Sequence, residues 1–170
     1  MKKAIAITDS TQSPYSKFGK RLSITGDFNG DKIIDTVYES YISSLTGKET
    51  SKIMDSVDWE NNIKLVIKKL PISRLYTSIP NVDTFIVIKG SQCGLTLFKN
   101  LGDMNNDGKD EIGYCVDWAD LSLSNTFHII ELKKNSFEEI ACIPINEETF
   151  TINYNLIKRK LLKQKTATKK

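Results

Sequence analysis

The chain of 170 residues contains one histidine, four prolines and three cysteines. Each shortage removes a class of protein. No apolar run approaches the roughly 18 residues that a membrane-crossing helix requires. The single histidine, His128, leaves no basis for a His-rich metal centre or a redundant Ser-His-Asp site. It lies in an apolar run, where an imidazole reads as a hydrogen-bonded or surface-facing strand residue. No serine or cysteine occupies a nucleophile-elbow motif, and neither a Walker-type nor a G-x-G-x-x-G phosphate loop occurs. Cys93, Cys115 and Cys142 form no C-x-x-C pair and no zinc spacing, and their odd number leaves at least one free thiol. An oxidising compartment permits a Cys115–Cys142 or Cys93–Cys115 bridge. Their apolar, strand-like surroundings favour three separately buried thiols.

Acidic residues are missing from one stretch. Residues 158–170 hold seven of the 24 Lys and Arg and no Asp or Glu. The rest of the chain carries 17 basic against 21 acidic residues, so a body of net charge −4 lies behind an overall +3. Such a basic end can touch nucleic acid or anionic lipid; its composition predicts a solvated, disordered tail. The N-terminus has the basic opening of a signal peptide, but the apolar run Ala4–Ile7 is far shorter than the roughly 7–15 residues of an export signal. The expectation is a chain with no such signal. With 39% hydrophobic and 26% charged residues, the composition is that of an ordinary globular domain.

What is present is a pattern of oxygen side chains. In residues 102–111, Asp103, Asn105 and Asp107 alternate, Gly108 follows, and Glu111 closes the run. A hard cation such as Ca²⁺ takes six to eight oxygens at about 2.3–2.6 Å. Ligands two residues apart let a short turn wrap one ion, with the Lys109 carbonyl between the third and fourth side chains and the glycine supplying a positive φ. A second copy lies at 26–35. An offset of 76 residues aligns Asp27 with Asp103, Asn29 with Asn105, Asp31 with Asp107 and Asp35 with Glu111. Ile33 supplies the carbonyl there, and Gly26 and Tyr38 match Gly102 and Tyr114. The copy departs where Lys32 replaces the glycine, which predicts a weaker or empty site. An EF-hand needs a bidentate Glu at the twelfth position. Both loops put a tyrosine there, which excludes it, and the same mismatch excludes dockerin-type modules.

Around the loops, 21–25, 35–42, 84–88, 94–98, 112–116, 126–132 and 137–143 read as strands from their β-branched and aromatic content. A hairpin turn is expected at Asn135–Ser136. The stretch 53–70 fits a helix face and a strand alternation alike, and its β surroundings favour a strand. Residues 71–83, with Pro71 and Pro80, read as an irregular connection, 1–20 as a loose arm, and 146–157 have no clear register. The expected fold is all-β and mainly antiparallel: one domain over 21–157, with repeats at 26–42 and 102–116.

The pattern D-x-N-x-D-G-x-D-E between two strands resembles the FG-GAP or VCBS repeat of integrin-like β-propellers. The resemblance covers about a quarter of the chain. It implies propeller-like blades, Ca²⁺ bound mainly for structure, an extracytoplasmic setting and a scaffold for a protein or glycan ligand. Two marked repeats are too few to close a ring. The expectation is therefore a partial or open propeller or a small atypical β-domain, with 43–83 holding an insertion or an unmarked blade. The alternative is a carbohydrate-active enzyme or accessory module, carried by Asp117 and Asp120 flanking Trp118; a polar turn with a packed tryptophan accounts for the same residues.

Overall fold

The computed structural model describes residues 18–52, 59–82, 86–120, 122–149 and 151–167. The expected N-terminal arm falls, but for residues 18–20, outside them. Among the described residues, eight strands form two four-stranded antiparallel sheets, each in chain order. Sheet one contains β1 (Ser23–Gly26), β2 (Asp35–Ser43), β3 (Pro71–Thr77) and β4 (Ile86–Ile88). Sheet two contains β5 (Gln92–Gly102), β6 (Glu111–Trp118), β7 (Ser124–Lys133) and β8 (Ser136–Asn146). Each acidic loop joins the first two strands of its sheet. Gly26 pairs with Asp35 and Gly102 with Glu111 at the two loop mouths.

Three segments differ from the sequence expectations. Residues Trp59–Lys69 form helix α1 rather than a strand. Glu60 in its first turn and Lys68 and Lys69 in its last complement the helix dipole. Val66 is buried, and Leu70 turns left-handed (φ 42°) to end the helix before Pro71. The expected irregular connection contains β3, which admits Pro71 because it is the first residue of the strand. The described residues of 43–83 thus supply β3 to sheet one and form no additional sheet. The basic end expected to be disordered is, through Ala167, part of helix α2 (Tyr154–Ala167). Asn153 Oδ1 accepts the Leu156 N–H at 3.0 Å as its N-cap. Ile157 and Leu161, four residues apart, are buried, while Lys158, Arg159, Lys160 and Lys163 face out.

The sheets stack head to tail. Val37, Leu75 and Ile88 of sheet one pack against Tyr114, Val116, Ile130 and Leu132 of sheet two. The opposite face of sheet two, with Cys115, Phe127, Ile129 and Ile145, is covered by Ile157 and Leu161 of α2. The 76-residue offset shows what this means. Phe28 in the first loop plugs the core between the sheets, and its counterpart Met104 plugs the core beneath α2. Helix α2 therefore occupies on sheet two the place that sheet two occupies on sheet one. The apolar face that a further sheet would otherwise cover is closed by the helix.

A buried ion pair pins the sheets together. Glu39 on β2, fully buried, accepts Lys52 Nζ at 2.9 Å and the Leu95 N–H of β5 at 2.8 Å. Lys52 also donates to the Leu95 carbonyl at 2.8 Å. Gly94 is required beside it, because a Cβ there would lie 2.3 Å from Lys52 Cε. All three cysteines are free; Cys93 and Cys115 are buried, but Cys142 is exposed, contrary to expectation.

Candidate metal centre

In the second loop, carboxylate oxygens of Asp103, Asp107 and Glu111 lie within 4.8 Å of one another. The loop backbone arranges them. Asp103 accepts the N–H groups of Asp107 at 3.0 Å and Gly108 at 2.9 Å. Asp107 accepts that of Lys109 at 3.1 Å, and Glu111 reaches back to that of Met104 at 2.6 Å. Asn106 (φ 59°) and Gly108 (φ 90°) supply the two left-handed steps of the turn.

The first loop follows the same path. Asp27 accepts the Lys32 N–H at 2.9 Å, as Asp103 accepts that of Gly108. Asp31 accepts the Ile33 N–H at 2.8 Å, as Asp107 accepts that of Lys109. The left-handed residues are Gly30 (φ 82°) and Lys32 (φ 66°), so the two loops exchange glycine and non-glycine between the same two positions. The replacement of glycine by Lys32 leaves the backbone route unchanged. The carboxylates differ. Among the described residues, only the second loop gathers three so tightly. Asp35, 5% exposed, keeps Oδ2 buried without a hydrogen-bond partner.

Burial raises the Asp35 pKa, and the charges of Asp31 and Asp27 push it further, against a Phe28 N–H that opposes them. Burial likewise pushes Glu111 up to about 7; the Met104 N–H pulls it down, and Glu131, Asp107 and Asp103 push it up. Asp107 lies below its usual value: partial burial raises it, but Glu131, the Lys109 N–H and the Lys109 and Lys133 charges outweigh that.

This donor set fits a hard divalent cation. With bonds of about 2.3–2.6 Å, oxygens on opposite sides of one ion lie roughly 4.6–5.2 Å apart, the span already present. Asp103, Asn105, Asp107, Glu111 and the Lys109 carbonyl would hold the ion. Its charge would offset the repulsion between clustered carboxylates.

Several neighbours were not found from the sequence. Glu131 of β7, 1% exposed, accepts Asn105 Nδ2 at 3.1 Å and Lys133 Nζ at 2.6 Å. Asn105 Nδ2 also bonds Glu111, tying β7 to the loop. The available signal was an acid at the same strand parity as Phe127 and Ile129. Asp110 faces away from this cluster toward the first loop. Its N–H donates to the Asp27 carbonyl at 2.8 Å, and its Oδ2 accepts the Asp27 N–H at 3.1 Å.

The other sequence candidates lie apart from the loops. Trp118 packs on the inter-sheet core and covers Gly90, where a Cβ would meet the ring at 2.5 Å. The ring is thus engaged in packing. Asp117 has a raised pKa, through burial first and then Glu147 and Asp120, with Lys52 opposing; Asp120 closes a turn onto the Ser122 N–H at 2.9 Å. His128 bonds Glu139 and stacks on Tyr114 with ring centres 4.9 Å apart. Tyr38, the repeat counterpart of Tyr114, stacks on its own cross-strand partner Tyr76 at 5.6 Å.

Two antiparallel sheets, each opened by an acidic loop, define an open all-β protein with an internal repeat. Compared with family models, curated proteins and solved structures, the chain finds no match in any of the three. No helix among the described residues is long and apolar enough to cross a membrane.

Proposed function

We propose that this chain is a non-catalytic β-scaffold of the FG-GAP or VCBS type, with Ca²⁺ held in loop 103–111 as a structural element. The observation that carries the reading is the convergence of Asp103, Asp107 and Glu111 within one ion's span at the mouth of β5 and β6. Loop 27–35 repeats the backbone route and is the second, weaker site. Calcium bound there joins the ends of neighbouring strands and stabilises the native state by mass action. Such a scaffold suits an extracytoplasmic setting, where it presents its surface to a protein or glycan ligand. A ligand present at about 100 times its Kd stabilises the state it binds by about 2.7 kcal/mol. Thermal unfolding of the full chain should therefore shift upward by several degrees in millimolar Ca²⁺ and return with chelator. Asp107→Ala should lose most of that shift while keeping the metal-free midpoint within a few degrees. An unfolding midpoint indifferent to both Ca²⁺ and chelator defeats the reading.

A further inference from the structure

The two loops lie against each other. Besides the reciprocal Asp27–Asp110 bonds, Asn100 Nδ2 donates to Asp110 Oδ2 at 2.7 Å and to the Thr25 carbonyl at 2.9 Å. The seam leaves no room for a side chain unless its partners shift. A Cβ on Gly26 would lie 2.3 Å from Asn100 Nδ2 and 2.6 Å from Asp110 Oδ2. A Cβ on Gly30 would meet the Gly108 carbonyl oxygen at 3.1 Å. The counterpart Gly102 faces open space and takes a positive φ of 69° instead, so the contact belongs to this pairing of loops and not to the repeat as such.

Each side of the seam is next to cation donors. Asp110 stands between Lys109 and Glu111, while Asp27 is the first donor of the other loop. Loop 27–35 has its own pointer to a cation: the buried Asp35 carboxylate oxygen that no donor satisfies, an expensive state for such a group. What it lacks is the convergence already present in loop 103–111.

We propose that the two loops are one coupled unit, in which a cation in loop 103–111 raises the affinity of loop 27–35 through the Asp27–Asp110 seam. This rests on the cation reading above. A cation held by the Lys109 carbonyl and Glu111 immobilises Asp110 between them, and Asp110 in turn holds both the N–H and the carbonyl of Asp27. Ordering the first donor of loop 27–35 is then already done when its ion arrives, and prior ordering of a shared segment is a source of positive cooperativity. By reciprocity the weaker site strengthens the stronger by the same factor. The arrangement also gives Asp110 a role that its place in the linear motif does not: it is a positioning residue for the other loop. Its counterpart in the first repeat is Ile34, which has no carboxylate to return the contact.

The test is a Ca²⁺ titration of the full chain, read at the backbone amides of Asp31 and Ile33 for one loop and of Asp107 and Lys109 for the other. Disabling loop 103–111 with Asp107→Ala should raise the half-saturation concentration of loop 27–35 about ten-fold, within the usual range of such couplings. Asp110→Ala should cause a similar rise at loop 27–35, and adding Asp107→Ala to it should change that loop little further. Gly26→Ala, which wedges the seam without touching a donor, should act like Asp110→Ala, and amide dispersion reports whether each variant is folded. A loop 27–35 that ignores Asp107→Ala, that never titrates, or in which the two substitutions simply multiply, overturns the coupling and leaves the cation reading of loop 103–111 standing. Silence at both loops overturns both.

Discussion

The two repeats share a backbone and differ in what surrounds it. Loop 103–111 is backed by sheet two, where Glu131, Lys109 and Lys133 form a charged cluster behind the donors and Asn105 links Glu131 to Glu111. Loop 27–35 has Phe28 driven into the inter-sheet core and an unsatisfied Asp35 oxygen, with no comparable second layer among the described residues. Equal turns with unequal backing teach that convergence of carboxylates is set by what lies behind the loop. The turn residues set only its path.

The largest expected effect removes what holds the two repeats together. Glu39→Ala leaves Lys52 buried without its carboxylate and the Leu95 N–H without an acceptor. Loss of one partner of a buried pair costs about 3–5 kcal/mol, to be read by chemical denaturation. A cost below 1 kcal/mol would show that the seam between the sheets is carried by apolar packing alone.

A second change makes sheet two more like sheet one. Gly113 is the counterpart of Val37, and a Cβ there would sit 2.1 Å from Phe127 Cζ. Gly113→Ala should cost about 1–3 kcal/mol by overpacking. The double variant with Phe127→Leu should cost less than the sum of the two single changes, since the ring is the obstacle. Strict additivity would place the obstacle elsewhere.

A smaller effect exchanges the glycines between the loops. Non-glycine residues in the left-handed region are strained by about 1–3 kcal/mol, partly offset by the entropy a glycine loses on ordering. Lys32→Gly should stabilise the protein by about 1 kcal/mol and Gly108→Lys destabilise it by a similar amount. Equal responses of one sign would mean that the two turns are not equivalent.

The smallest expected effect lies at the far end of β6, away from both loops, and serves as a control on them. The folded Asp117 holds its proton at a pH where the unfolded chain has already lost it. Its contribution to stability therefore falls as pH rises from the ordinary carboxylate value of 3.8 through the raised one. Asp117→Asn should gain stability relative to the parent across that window and match its trend on either side. A parallel pair of stability curves would remove the burial argument.

Much of this organisation was legible in the chain itself. Strands with alternating or β-branched sequence, such as 35–42 and 126–132, declare themselves because neighbouring residues on opposite faces meet different environments. The failures have local causes too. Residues 59–69 satisfy both periods, and the deciding signals were the charges at the two ends and the stop at Leu70–Pro71, not the apolar spacing. For α2, a run of lysines looked solvated because the two residues that anchor it, Ile157 and Leu161, are outnumbered by cations on its open side.

By itself, then, the sequence determined the two turns, their 76-residue spacing and most of the strands, since each depends on residues within one short segment. Tertiary structure alone decided that the turns touch, that Asp110 serves the loop it does not belong to, and that Glu131 stands behind Asn105. It also decided that α2 closes the face of sheet two. These follow from which faces bury against which, and burial joins residues that no local spacing relates.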